Sequence, residues 1–533
     1  MKTHLALDAL GGAALCALPF LLDEEEDSTV SACVIGLGVL DLAVAPLTQT
    51  QSTPRVDDYR IFRPHEREDE TSELSEEARR NPLPEASAAD TARIVAKVLA
   101  PKVAQGPIIR RPAMMAVAES MDVDTAAVRT LQEMRDRYGS GPLMLKLPGY
   151  RQAILLDPEH VRRVLDESPE PFATATVEKQ AALAHFEPEV ALISHGEKRE
   201  SRRRINVETL EPGSPVHHMA QQFLPIVEEE AGRLLDQVGE AGELTWDDFG
   251  DAWFAVVRRV VFGNEARDDR RITDIMVKLR SDANWAILKP RRTDLRDELH
   301  ERIRGYIERA ESGSLAAYMA EHVRSPEQKP EQQIPQWLFA FEPAGMATFR
   351  ALALLARHPE QLERARKETG EDALADRPLR PFLRACVLEA LRLWPTTPLI
   401  LRETTRETRW EKGIMPTGTG VVIFTPFFHR DDQNLSCANT FSPDLWLEDD
   451  PEAQGFPPQS WPLVPFSGGA AHCPGQNLVL LLTSGMLAAL VGEREVRIRE
   501  PERMPPGSLP GSQDHSSLRF EFGGVGGNGA RGA

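Results

Sequence analysis

The chain has 533 residues, 41% of them hydrophobic, and a formal net charge of −20 from 62 basic and 82 acidic side chains. The apolar share is ample for a large buried core, and the negative charge argues against sequence-independent attraction to nucleic acid. The five cysteines (Cys16, Cys33, Cys386, Cys437, Cys473) are odd in number and lack C-x-x-C spacing, which argues against a disulfide framework or zinc ribbon and suits a reducing compartment.

Residues 1–52 carry two apolar stretches split by "DEEED", each just long enough to cross a bilayer and each holding one aspartate, Asp8 or Asp41. They read as a membrane hairpin whose acidic loop faces away from the cytoplasm, with Lys2 and Arg55 inside. The alternatives are a signal peptide, which leaves the second stretch unexplained, and a soluble helical hairpin packed on the main body, since aspartate in lipid is costly. Residues 53–90 are polar and acidic, a linker that buries no core of its own. From 91 to 523 the pattern is that of one globular unit, followed by a glycine-rich tail, 524–533, read as disordered.

Within the unit, "AAVRTLQEMRDRYG" is apolar at helical spacing and stopped by a glycine. "GPLMLKLPG" and "RQAILLDP" read as two strands joined by a turn, and "DPEHVRRVLDE" as a helix capped by Asp157 with Pro158 at its first position. In "SHGEKRESRRRINVETL", Arg199 and Arg203 lie four apart on one helix face, while Arg202 and Arg204 point elsewhere, toward solvent. "WLFAFEPAGMATFRALALLARHPEQLERARKE" is a long apolar helix in which Pro343 removes one hydrogen bond, next to Ala344, Gly345 and Thr348. "LEALRLWPTTPLILRETT" puts Glu389 and Arg392 on one helix face, with Arg402 further on, and "SSLRFEFGG" reads as a closing strand.

Ten residues near the C-terminus, "FSGGAAHCPG" from Phe466 to Gly475, fit F-x-x-G-x-x-x-C-x-G and precede an apolar run. Cys473 stands where a helix begins, and there the unpaired N–H groups and the positive helix end favour a thiolate over a thiol. Such a thiolate is the ligand a haem iron needs to cleave an O–O bond. With Glu389-x-x-Arg392 and the Ala344–Thr348 segment in order upstream, the chain resembles the cytochrome P-450 family, bacterial type, with an atypical N-terminal hydrophobic extension. The resemblance implies a mainly α fold with small β-sheets. It also implies iron protoporphyrin IX (haem b) on Cys473, with Phe466, Gly469, His472 and Gly475 around it. Arg402, Arg203 and Arg199 would meet the propionates, Glu389 and Arg392 would form a structural pair, and Ala344, Gly345 and Thr348 would line the oxygen site.

Three positions depart from the family pattern. Ala347 stands where an acid often precedes the distal threonine, so proton delivery falls to Thr348 and water, and Glu342 is out of register. Ala471 replaces a basic residue, with His472 beside it. Leu445 replaces an arginine that would complete a network with Glu389 and Arg392, leaving the pair undersatisfied unless another group, with Arg430 nearby in sequence, fills in.

The leading function is a monooxygenase acting on a small apolar substrate. Its electrons come from a separate ferredoxin and reductase, because no flavin or iron–sulfur motif is recognisable. A peroxide-dependent enzyme (a peroxygenase or one that rearranges hydroperoxides) and a haem protein without oxygenase activity are the alternatives. The catalytic domain is expected in the cytoplasm, with 1–52 contacting the membrane. Specificity is expected within 172–190 and 282–292, where Trp285 reads as core.

Overall fold

The computed structural model describes residues 80–523 except 287, 371–372, 448–461 and 493. The hairpin expected over 1–52, the tail of 524–533 and all but the end of the 53–90 linker lie outside the described residues.

Local chemistry sets where the first elements begin and end. The helix Val123–Tyr138 stops where Gly139 takes φ +82° and gives its N–H to the Arg135 carbonyl at 2.8 Å. Leu143–Leu147 (β1) and Tyr150–Ile154 (β2) form the expected hairpin, with Leu143 opposite Ile154. Asp157 accepts the Glu159 N–H at 2.8 Å and caps Pro158–Asp166. The packed unit starts before the expected boundary at 91: Pro82 and Glu85 bridge to Ile414 and Met144, and Leu83 and Ala86 are buried. A polar composition hid this segment because a few backbone pairs and two small apolar contacts suffice to lay a chain along a sheet edge.

Next in the chain come β3 (Phe172–Ala173), β4 (Leu399–Thr404), the hairpin of β5 (Thr408–Trp410) with β6 (Gly413–Met415), and β7 (Gly420–Phe424). The main sheet has the order β1-β2-β7-β4-β3. Side chains alternate across β4, so Ile400, Arg402 and Thr404 are buried while Leu399, Leu401 and Glu403 are half-buried. That alternation carries a charged residue, Arg402, inward. At the C-terminal end Val496–Ile498 (β8) pairs with Phe520–Phe522 (β9); the preceding serines form a turn capped by Asp514 rather than strand.

Five helices frame the site: α1 (Gly196–Leu210), α2 (Trp246–Phe262), α3 (Pro330–Arg357), α4 (Pro381–Leu393) and α5 (Gln476–Val491). Every residue of α5 except Ala489 is buried, and the helix is packed against α3, α4 and the helix Ala220–Ala241. An all-round apolar helix is stable in that setting. α3 runs unbroken through Pro335 and Pro343. Among the described residues the stretch Pro326–Arg357 alone is long and apolar enough to cross a membrane, yet 78% of its apolar window is buried inside the protein. It is a core helix.

The expected pair on α4 is fully buried, and it is satisfied. Arg392 meets Glu389 in a fork, Nε to Oε2 at 2.7 Å and an Nη to Oε1 at 2.5 Å. Its remaining donors reach the carbonyls of His429, Cys437, Ala438 and Thr440. Glu389 in turn accepts the Ser442 N–H and the Trp446 indole N–H, each at 2.8 Å. The group missing at Leu445 is therefore supplied by the next residue, Trp446. Arg430 does not reach the pair; it binds Asn439 and the carbonyls of Leu393, Leu509 and Pro510. Arg392→Met would strand a buried carboxylate and should cost about 3–5 kcal/mol, whereas Trp446→Phe, losing one donor, should cost about 1–3 kcal/mol. Urea unfolding of both variants checks this; equal and small losses would show the pair to be energetically idle.

Candidate active site

The cysteine loop is a series of tight turns held by its own backbone. The Val464 carbonyl accepts the Ser467 N–H, and Ser467 sits at φ +64°. Gly469 has φ +61°, and a β-carbon there would stand 2.0 Å from the Leu165 carbonyl oxygen, so only glycine fits. Phe466, half-buried, accepts the Cys473 N–H at 3.1 Å, which folds the loop back before α5 begins. Gly475 is less constrained: a β-carbon there would lie 4.0 Å from Cys473 Sγ, an ordinary contact. The loop is tied to the buried pair through His429, whose carbonyl binds Arg392 and whose Nε2 accepts the Val464 N–H at 2.9 Å. Burial and the Arg392 charge hold His429 neutral, with its pKa depressed to about 3.

The thiol differs from its expected state. Burial is the largest influence on Cys473 and raises its pKa above the ordinary range; the N–H groups of Gly475 and Gln476 and the Arg203 charge pull it down without winning. The loop alone therefore holds a thiol. A coordinated metal ion removes such a proton outright.

Arg203 acts directly on this sulfur, and it leads to a chain of interacting cations that runs through Arg199 and Arg402 to Lys179. Arg402 is 3% exposed and donates to Ser168 Oγ at 2.9 Å, its neighbour's carbonyl at 2.9 Å and Ser467 Oγ at 3.4 Å. Burial first, then Arg199, brings its pKa down to about 10. Arg203 donates to the His472 carbonyl at 2.5 Å and feels both Cys473 and Arg199. Arg199 has a buried Nε without a partner. Lys179, which sequence reasoning passed over, donates to the carbonyls of Thr174 and Leu401, and burial with Arg402 pushes its pKa well down. Its only sequence signal was a lysine inside 172–190. Among the described residues none of these four cations forms an ion pair with a carboxylate. One expectation fails here. Arg202 is buried, because Glu189, Ser194 and the Glu327 carbonyl take up its donors; Arg204 is exposed as expected. The His472 ring lies 2.5 Å from Gln476 Oε1, one helical turn on, and feels the Arg203 charge.

On α3, Thr348 is fully buried and its hydroxyl donates to the Ala344 carbonyl at 2.9 Å. Ala344 and Thr348 therefore share a face. At Gly345 a β-carbon would lie 2.8 Å from Trp253 Cδ1, so this glycine lets α2 pack against α3. The Trp253 indole donates to the Phe341 carbonyl at 2.7 Å, beside Pro343. Ala347 is buried and offers no acid, while Glu342 pairs with Arg280, whose guanidinium lies 4.7 Å over the Phe339 ring. Nearby Glu187 is buried with neither oxygen partnered, and burial raises its carboxyl pKa well above the usual range. Trp285 is half-buried under Arg111, 4.4 Å from the guanidinium, at the rim rather than in the core.

Comparison with known proteins identifies this arrangement. The family model described as Cytochrome P450 matches residues 110–338 and 340–510, so the chain belongs to the cytochrome P450 family. It is 34% identical over 154 residues to a beta-amyrin 24-hydroxylase of Glycine max, covering 26% of this chain and 29% of that protein. It is 31% identical over 161 residues to a methyltetrahydroprotoberberine 14-monooxygenase of Papaver somniferum, covering 28% and 30%. The match thus spans less than a third of either relative, and such plant proteins, with insect ones, lend no support to the expected bacterial type. In fold it is similar to a retinoic-acid-bound cyanobacterial CYP120A1, with TM-score 0.59 at 19% identity over 74% of this chain and 93% of that one. A second structure, CYP102L1, gives 0.60 at 17% identity over 74% and 94%.

The neutral His429 makes the loop acid-sensitive. Unfolded, this group binds its proton as pH falls through about 6.5; folded, it does so only near 3. Its contribution is therefore intact at neutral pH and lost progressively between those values, on the order of 4 kcal/mol in all. His429→Gln keeps an acceptor without a titration, so its stability should fall less than that of the parent between pH 6.5 and pH 4; parallel melting curves across that window would contradict this.

Proposed function

We propose that this chain is a haem-thiolate monooxygenase that inserts one oxygen atom from dioxygen into an apolar organic substrate. The observation that carries the reading is the cluster of Arg199, Arg203, Arg402 and Lys179 with no carboxylate partner beside the single cysteine of a glycine-pinned loop. Burying cations without anions is costly, so the cluster fits a group that brings two carboxylates and a metal seeking a soft ligand. Iron protoporphyrin IX is such a group. When bound, it supplies the oxygen-activating redox chemistry; the protein supplies everything that follows here. Cys473 holds the metal, and Phe466 and Gly469 shape the loop that presents it. Arg402, Arg199, Arg203 and Lys179 hold the carboxylates.

Ala344 and Thr348 on α3 present a small, apolar helix face with one hydroxyl, which would line the oxygen site. Thr348 holds its proton on the Ala344 carbonyl, and with alanine at 347 any proton reaching the substrate side comes through that hydroxyl or from water. Support for oxygen insertion comes from relatives named as a hydroxylase and a monooxygenase. Electrons come from a separate ferredoxin with its reductase. The catalytic domain sits in the cytoplasm, anchored by residues 1–52. A peroxide-dependent enzyme is the second reading, favoured by the absence of an acid at Ala347.

Purified protein should show the thiolate Soret band when reduced under carbon monoxide, and Cys473→Ser should lose it. An unchanged optical signature in that variant removes the proposal. Arg402→Gln should lower haem retention by about tenfold or more, read by dialysis against apomyoglobin. Turnover with hydrogen peroxide but none with NAD(P)H, ferredoxin and reductase would select the second reading.

A further inference from the structure

The helix that carries Thr348 contains its own breaker. Pro343 has no N–H, so the Phe339 carbonyl lacks its helical donor, and the pyrrolidine ring crowds that carbonyl. Proline inside a helix ordinarily kinks or breaks it. Yet Pro330–Arg357 is one helix with Pro335 and Pro343 inside it. Ala344 follows Pro343 directly and Thr348 stands one turn beyond, so whatever keeps this stretch regular also sets the oxygen site.

The contact that meets this turn comes from α2. Trp253 is fully buried, and its indole N–H donates to the Phe341 carbonyl at 2.7 Å. In an α-helix that carbonyl also accepts the Gly345 N–H, four residues on. The same indole covers Gly345: a β-carbon there would stand 2.8 Å from Cδ1, 3.0 Å from Nε1 and 3.3 Å from Cγ. All three atoms belong to the five-membered ring, which therefore takes the place of a side chain at 345 while its proton reaches the carbonyl one turn back. One side chain grips both ends of the Phe341–Gly345 turn.

Trp253 is itself held in place. Its ring lies nearly parallel to that of Phe249, 6.4 Å between centroids at 9°, and edge-on to Phe341 at 6.3 Å. Phe249 packs in turn on Phe349 at 5.1 Å, so the aromatic group returns to α3 about two turns further on. A buried indole has one donor and needs one acceptor, so letting go of Phe341 would strand it. The bond adds a direction to what would otherwise be packing alone.

Inside the gripped turn lies Ala344, whose carbonyl accepts the Thr348 hydroxyl at 2.9 Å. A hydroxyl has one proton and two lone pairs. With the proton on Ala344, Thr348 offers only lone pairs to anything else; with that carbonyl displaced, the proton is free to point elsewhere. We propose that Trp253 is a positioning residue for the oxygen site: its indole N–H and its contact with Gly345 fix the turn Phe341–Gly345 past Pro343, and thereby the Ala344 carbonyl on which the Thr348 proton is held. It acts through the α3 backbone. The consequence for oxygen chemistry rests on the monooxygenase reading, whereas the clamp does not.

The test uses the haem-loaded full chain and Trp253→Phe, which keeps an aromatic ring and removes the N–H. Amide hydrogen exchange over Gly345–Thr348 should speed by about fivefold or more, while Leu352–Leu355 of the same helix should change by less than about twofold. No acceleration, or equal acceleration of both stretches as packing alone would give, overturns the proposal. The second readout is the C–O stretch of the carbon-monoxide form. Trp253→Phe should shift or split that band, because the Thr348 hydroxyl is no longer held on Ala344. The change should vanish in a Thr348→Val background, which has no hydroxyl to release. An unmoved band, or a shift that survives in that background, overturns the proposal. Gly345→Ala pushes the ring off the turn from the other side and should reproduce both effects, which keeps the test open if Trp253→Phe does not fold. In the parent, Gly345–Thr348 should exchange no faster than Leu352–Leu355 in spite of Pro343, and faster exchange there also overturns it. Failure of the haem reading would appear as absence of the carbon-monoxide band and leave the exchange rates interpretable.

Discussion

The buried fork between Glu389 and Arg392 is the constraint on which the site depends. It takes four carbonyls, one backbone N–H and one indole N–H from a stretch between His429 and Trp446, so that irregular chain is held by charge-assisted hydrogen bonds rather than by a ladder. His429 passes the constraint on, binding Arg392 through its carbonyl and the Val464 N–H through its ring. The cysteine loop opens two residues later. A buried ion pair is weak evidence of stability in general, but one whose every lone pair is used fixes a unique geometry.

Buried charge in this protein obeys two opposite rules. In the α4 pair each charge meets its counterion, and the group is closed. Arg402, by contrast, is buried against neutral oxygens, and its pKa falls because burial has no opposing charge to offset it. Such a group persists in a folded chain where hydrogen bonds to carbonyls and hydroxyls take up the donors, but a net charge remains.

α3 is held by close packing. Gly345 brings it against Trp253, and the indole bonds a carbonyl next to Pro343, so a helix with two internal prolines stays continuous. One face then carries Ala344 and Thr348.

Much of this was legible in the chain. Glycine and proline punctuation placed the β1–β2 hairpin, the helix after Asp157 and the turn at Gly469, because those residues act through local sterics that any context preserves. The i,i+3 spacing put Glu389 with Arg392 on a shared face. What the chain left open was who completes each group. Trp446 rather than Arg430 satisfies Glu389, Arg202 turns inward, Gly345 serves packing, and Lys179 joins a cluster whose other members lie far away in sequence. At Cys473 the helix-end donors favour the thiolate, yet desolvation outweighs them. Backbone conformation follows from neighbours in the chain, whereas desolvation and hydrogen-bond completion are summed over everything that folding brings within a few ångströms, and only the tertiary structure lists those contributors.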